Sequence, residues 1–190
     1  RRSAHINLEN LLGLAAEWDR NLAALIADAR WLLVKTWNMP NVPPNELEKG
    51  VALAEEFLKH HPSDPRSVVA AWWIARAWDS RGRADDAIER YRDFIKGKGY
   101  SLPEGAAATD TLEVQDKSPA ELREEWRKLA LHRIGHIRFQ QKEYEKAREA
   151  WKRYVARHPD GPHWSASQQG IINTEYQAAV DAVAEQKYEL

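Results

Sequence analysis

Seven histidines and several runs of carboxylates are the side chains in this chain that could do chemistry, because cysteine is absent. Without a thiol there is no Cys nucleophile, no thiolate metal site and no disulfide. His132 and His136 stand four apart, about one helical turn, so both imidazoles could face one metal ion. No third ligand follows at a supporting spacing, and no Glu lies between them as in an HExxH motif. The pair therefore reads as two groove or surface histidines, and neither a metal nor a cofactor is expected. His60, His61 and His158 fall where helices should end, and an imidazolium there would complement the helix dipole. Asp85–Asp86 and Glu124–Glu125 are adjacent in sequence, and successive helical side chains diverge, so they make poor acid–base pairs. Glycine-rich phosphate loops and serine-centred elbows are also missing. The chain reads as non-enzymatic.

What positions these residues follows from composition and period. The 190 residues carry 28 Lys+Arg against 29 Asp+Glu, a net charge of −1. A nucleic-acid binder needs a concentrated basic surface, so none is expected as partner. No apolar run approaches the roughly 20 residues that span a bilayer, so no membrane insertion is expected. The first residue is Arg1 and no signal-like start follows, which reads as an excised domain or mature fragment. Absent cysteine suits either a reducing or an oxidising compartment. Nine tryptophans are many. Thin helix pairs need large side chains to fill the layers between them, and ligand stacking is the alternative use.

Taken in order, residues 1–44 read as one long helix or two collinear ones from Ile6 to Asn38 and a stiff connector at Pro40, Pro43 and Pro44. Leu8, Leu11, Ala15, Trp18, Leu22, Leu25, Ala29 and Leu32 alternate steps of three and four, a coiled-coil-like seam that Leu12, Ile26 and Leu33 widen. The seam is expected to pack against the next helices of the same chain, with a homodimer or a bound partner helix as the sharper alternative. Residues 45–64 hold a helix from Glu46 to about His60, opened by Asn45 and Glu48 as a capping box. Residues 65–96 hold two more, Pro65 to Ser80 after an Asp64 cap, and Ala84 to Lys96 before Gly97. Periodicity vanishes over 97–117, where Leu112 and Val114 could pin a short extended segment. Residues 118–160 restart sharply with Ser118, Pro119 and Glu121, run to about Gln141, and continue from Glu143 to Arg157. A last helix, about His163 to Gln186, occupies residues 162–190.

Two of these helix pairs share one pattern. Leu131, Ile134, Gly135, Tyr144, Ala147, Trp151 and Pro159 fall at the spacings of the 34-residue tetratricopeptide (TPR) signature, with Arg138 where an aromatic is usual and Phe139 beside it. Ala71, Ile74, Ala75, Trp78, Ala84, Ala87, Tyr91 and Phe94 occupy the same places in the preceding pair, with Gly99 at the proline position. KHHPSDP at residues 59–65 echoes ARHPDGP at 156–162, so the 45–64 helix resembles the second half of a degenerate earlier repeat. The chain thus resembles the TPR family over two clear repeats. The resemblance implies an all-α, right-handed αα-superhelix of about seven helices in a single domain, ending in a capping helix. Residues 157–172, RHPDGPHWSASQQGII, also resemble the repeat junctions of bacterial cell-envelope TPR adaptors, which implies the periplasm, with the cytoplasm as alternative.

The TPR resemblance places a partner on the concave surface lined by the first helix of each pair. By position that surface comprises Val69, Trp72, Arg76, Asp79 and Ser80, then Leu129, His132, His136, Phe139 and Gln140. Aromatic anchors mixed with a guanidinium and imidazoles are a hot-spot composition. Trp72, Arg76, His132 and His136 replace the Lys/Asn pattern by which chaperone-binding TPRs hold a C-terminal carboxylate, which argues against that ligand. The expected function is a non-catalytic scaffold binding a protein or peptide, within a larger protein or complex. A spacer or oligomerisation domain using the first helix is the alternative, and a helical enzyme domain with a Trp-lined cleft a third.

Overall fold

The computed structural model describes the backbone over residues 2–102 and 117–186, and side chains from Trp18 to Ala184 within that span, Arg20 excepted. Leu112 and Val114 lie outside the described residues. Among the described residues seven α-helices follow one another: α1 (Arg2–Thr36), α2 (Leu47–His60), α3 (Arg66–Ser80), α4 (Ala84–Lys96), α5 (Pro119–Gln140), α6 (Tyr144–Arg157) and α7 (Trp164–Gln186). Each packs on the next, including α1 on α2 across the proline connector and α4 on α5 across the 97–117 segment. First helices of successive pairs also touch, α3 with α5 and α5 with α7. No strand occurs among the described residues. The result is an all-α helical repeat solenoid.

Local chemistry sets the helix ends. Ser118 and Glu121 close a reciprocal capping box ahead of α5, the Ser118 N–H donating to the Glu121 carboxylate at 2.8 Å. Asp64 accepts the Arg66 N–H at 2.8 Å, so it caps α3 across Pro65. The capping box expected at Asn45 and Glu48 does not form. A 3₁₀ turn, Pro44–Glu46, takes that place and α2 begins at Leu47 without a side-chain cap. The two repeat hairpins turn identically: the Arg83 N–H donates to the Trp78 carbonyl and the Glu143 N–H to that of Arg138. Gly82 and Lys142 hold the same left-handed position in those turns, at φ +68° and +62°. Beyond α4, Tyr100 is buried and its hydroxyl donates to the Phe94 carbonyl at 2.9 Å, so the start of the 97–117 segment is tied to the body.

Parallel rings join successive first helices. Trp31 of α1 stacks on Trp73 of α3 at 5.1 Å, Trp72 of α3 on Trp126 of α5 at 5.3 Å, and His132 of α5 on His163, just before α7, at 4.8 Å. Tryptophan mostly fills layers, as expected, with Trp31, Trp72, Trp78 and Trp151 buried; Trp18 and Trp164 are exposed. Trp151 shows the tightest fit. Its indole lies between Gly135 of α5 and Gly170 of α7, where an added Cβ would come within 2.4 Å and 2.6 Å of the ring.

The end helices depart from expectation. The α1 seam does not pack into the chain: Trp18, Leu22, Leu25, Ile26, Leu32 and Leu33 are all exposed, as is Ala29. Ala27, Trp31 and Val34 on the opposite side are the buried positions. The stacking of Trp31 on Trp73 and its contact with Phe57 decide which way α1 faces. Leu8, Leu11, Leu12 and Ala15 lie outside the described side chains. A capping helix should turn a polar face to solvent, yet α7 buries Ser167, Gly170 and Thr174 and exposes Ile172, Tyr176, Val180 and Val183. Small residues are required where α7 crosses the Trp151 indole.

Candidate partner-binding surface

The first helices α3 and α5, expected to line the inner side of the solenoid, touch each other. Leu129, Arg133, His136 and Gln140 recur at steps of four, three and four and so share one face of α5. Arg76 and Asp79 stand across from them on α3. The Arg133 guanidinium donates to both Asp79 carboxylate oxygens, Nε at 2.9 Å and Nη2 at 2.7 Å, and the Tyr91 hydroxyl donates to the same carboxylate at 2.7 Å. The Asp79 side chain is only 7% exposed. A carboxylate this buried requires such partners, and the forked guanidinium supplies two at once.

Electrostatics follow from this triad. Burial, then the Asp79 charge, push the Tyr91 phenol well above its ordinary value, so it remains a donor. Burial works against the Arg133 charge, but its bonds to Asp79 outweigh that and raise its pKa. His136 is lowered by burial and by the Arg133 charge, with Asp79 opposing. Its imidazole is therefore a neutral hydrogen-bonding group at neutral pH, half-buried beside a fixed ion pair.

The residues expected in the groove divide. Val69 is fully buried, and Trp72 is buried against Trp126, Tyr91 and Phe94. Phe139 turns to Tyr144 and Trp151 on α6. His132 faces α7, its Nδ1 2.9 Å from the Ser167 Oγ, and burial followed by the neighbouring His163 charge lowers its pKa to about 4. The two histidines spaced four apart thus part company, one toward α7 and one toward α3. Leu129 is half-buried against the core. Arg76, His136 and Gln140 keep accessible surface, and Ser80 is exposed. Arg133 was the omission, although its place between Leu129 and His136 at helical spacing marks it.

Two of the helix-end histidines, His61 and His158, also differ from expectation. His61 at the α2 C-terminus lies 3.0 Å from Arg30 Nη1, and burial and that guanidinium lower its pKa. His158 is likewise lowered, by burial and then Lys128. The neutral ring is favoured at both sites, so neither acts as a dipole-complementing imidazolium. Two clefts open away from the inner surface. One, about 570 Å³, is lined by Leu58, Ile74, Phe94 and Tyr100; the other, about 600 Å³, is ringed by Arg92, Lys96, Arg153 and Arg157.

Hairpins of equal turn geometry, a small residue at each close crossing and first helices in lateral contact define a helical repeat solenoid. Residues 129–161 match the family model for the tetratricopeptide repeat. That segment is similar to the tetratricopeptide repeat and lies within an all-α helical repeat solenoid, and the motif suggests a protein–protein interaction scaffold. No curated protein and no solved structure matches the chain.

Proposed function

We propose that this chain is a non-catalytic scaffold that holds a peptide or helix of a partner protein on the α3/α5 inner surface, within a larger protein or complex. The observation that carries it is the accessible set Arg76, His136 and Gln140 around the part-buried Asp79–Arg133 pair. A guanidinium and an amide can bond an extended backbone or an acidic side chain, while the ion pair beneath holds both helices still. Val69, Trp72, His132 and Phe139 act here through packing, with Leu129 at the apolar edge. Affinity capture from source cells with the wild-type chain, Arg76→Glu/His136→Glu and an outer-face control, Lys152→Glu, tests this. The control should retain the co-purifying protein and the double variant should lose it. Equal capture by all three would remove the inner surface from the account.

A second reading rests on a separate observation. The exposed α1 seam supports assembly through α1, which is compatible with partner binding on the inner surface.

A further inference from the structure

Among the described residues, α1 is apolar on two opposite sides. Ala27, Trp31 and Val34 face the body; Trp18, Leu22, Leu25, Ile26, Ala29, Leu32 and Leu33 face away and are exposed by 42–76% for the large side chains. A surface helix of a globular domain ordinarily carries one apolar stripe, turned to the core. The seam line Trp18, Leu22, Leu25, Ala29 and Leu32 carries no charged residue; Asp28 and Arg30 lie off the stripe, and Asp19, seven before Ile26, lies at its edge. Asp28 is already engaged by Arg66 at 2.6 Å. Something must cover this stripe.

We infer that α1 pairs with α1 of a second copy of this chain, antiparallel, about a twofold axis between Leu22 and Leu25. This deepens the assembly reading above and rests on it. The stripe is self-complementary in that register. With the axis there, Leu22 meets the partner's Leu25, and Trp18, the largest side chain, meets the partner's Ala29, the smallest on the seam. Twofold symmetry repeats both contacts, as an isologous interface requires. Alternating large and small across facing positions fills the layers at an ordinary helix spacing of about 8–10 Å. A parallel pairing would set Trp18 against Trp18 and Ala29 against Ala29, one layer forced apart and the next left hollow. The six large side chains expose roughly 700 Å² per copy, close to the ~800 Å² per partner of a standard stable interface.

The fold leaves room for this. The body lies behind residues 27–34 of its own α1, and the partner helix passes on the other face. Antiparallel pairing also brings the body-supported C-terminal half of each α1 beside the N-terminal half of the other. At 35 residues α1 is about 52 Å long, and α2 is its principal neighbour in the chain. The competing apolar stripe on α7, Ile172, Tyr176, Val180 and Val183, joined to α1 of another copy would make a head-to-tail contact that grows into open chains.

Sedimentation and cross-linking test the inference on the cysteine-free chain. The wild type should sediment as a dimer, and Leu22→Glu/Leu25→Glu should weaken association 100-fold or more with unchanged helical content. Ala29→Cys alone should resist oxidative cross-linking, because the two copies of position 29 lie about 16 Å apart along the helix. Mixed with Trp18→Cys chains it should form covalent dimers, since positions 18 and 29 then oppose one another. Covalent dimers of Ala29→Cys alone would overturn the antiparallel register and leave α1 assembly standing. A monomer at all concentrations, or a ladder beyond the dimer, would overturn both.

Discussion

Gly135→Ala isolates the packing on which the repeat depends. A methyl built on Gly135 would lie 2.4 Å from Trp151 Nε1, 2.6 Å from Cδ1 and 2.7 Å from Cε2. The ring cannot retreat, because a Cβ at Gly170 would find it at 2.6–2.8 Å from the other side. Its Nε1–H also donates to the His132 carbonyl at 3.1 Å, which fixes the indole along the third direction. Overpacking of this kind costs about 1–3 kcal/mol, and a ring held on both faces belongs at the upper end. Alanine is a better helix former than glycine by about 1 kcal/mol, so the net loss should be about 2 kcal/mol. Replacing Trp151 with leucine reverses the sign. That change alone should cost about 3 kcal/mol through lost burial and the cavity left behind. In its background Gly135→Ala meets no ring, and should stabilise by up to about 1 kcal/mol through propensity alone. The coupling in the double-mutant cycle is then about 3 kcal/mol. Urea unfolding followed by far-UV circular dichroism on the four proteins measures it. Gly135→Ala that stabilises the wild type, or a coupling below about 0.5 kcal/mol, would refute the clamp.

Two further outcomes follow from other parts of the molecule. His132 has a folded pKa of about 4 against an ordinary 6.5, so the unfolded chain takes up the proton first. Its contribution is complete above pH 6.5 and is lost as pH falls from there to about 4. At 1.36 kcal/mol per unit, discounted for the part of the ring that meets solvent, this is about 2 kcal/mol. Chemical denaturation of wild type and His132→Gln at pH 7.5 and 4.5 should show the smaller pH-dependent loss in the variant; equal losses would remove His132 as the sensor. Lys142→Gly should stabilise by about 0.5–1 kcal/mol, because Lys142 holds the left-handed turn position that Gly82 fills in the other repeat. The ion pair it gives up with Asp181 is on a side chain 72% exposed and contributes little. A lower denaturation midpoint for the variant would count against a strained turn.

Helix positions were legible because each local signal is backbone chemistry that acts within a few residues. Ser118-Pro119 and Glu121, Asp64-Pro65 and Gly97 marked ends that the structure keeps within a residue. Gly135 and Trp151 were legible as a crossing because repeat spacing ties their positions, while Gly170, outside any complete repeat, was not. The direction of α1 was illegible for a physical reason. Periodicity shows that a helix has an apolar stripe, and α1 has two; which one meets the body depends on Trp73 and Phe57, far along the chain. Histidine protonation failed likewise: the end-of-helix position is local, but burial and Arg30 beside His61 are tertiary.

The same distinction bears on what the inner surface can recognise. Trp31, Trp72 and His132 each spend a ring on the following first helix or the turn before it, at interplanar angles of 17°, 11° and 15°. Residues that repeat position alone would offer to a ligand as aromatic anchors are consumed in holding the solenoid together. What remains accessible between α3 and α5 is polar: Arg76, His136 and Gln140 over the Asp79–Arg133 pair. A polar surface on a rigid base favours specificity and exchange over burial, as in transient interfaces. The exposed apolar area sits instead on the end helices α1 and α7, and on α1 the self-complementary stripe proposed above favours a lasting contact. On the proposed reading the two surfaces divide the work, with α1 for assembly and the inner face for a partner that comes and goes.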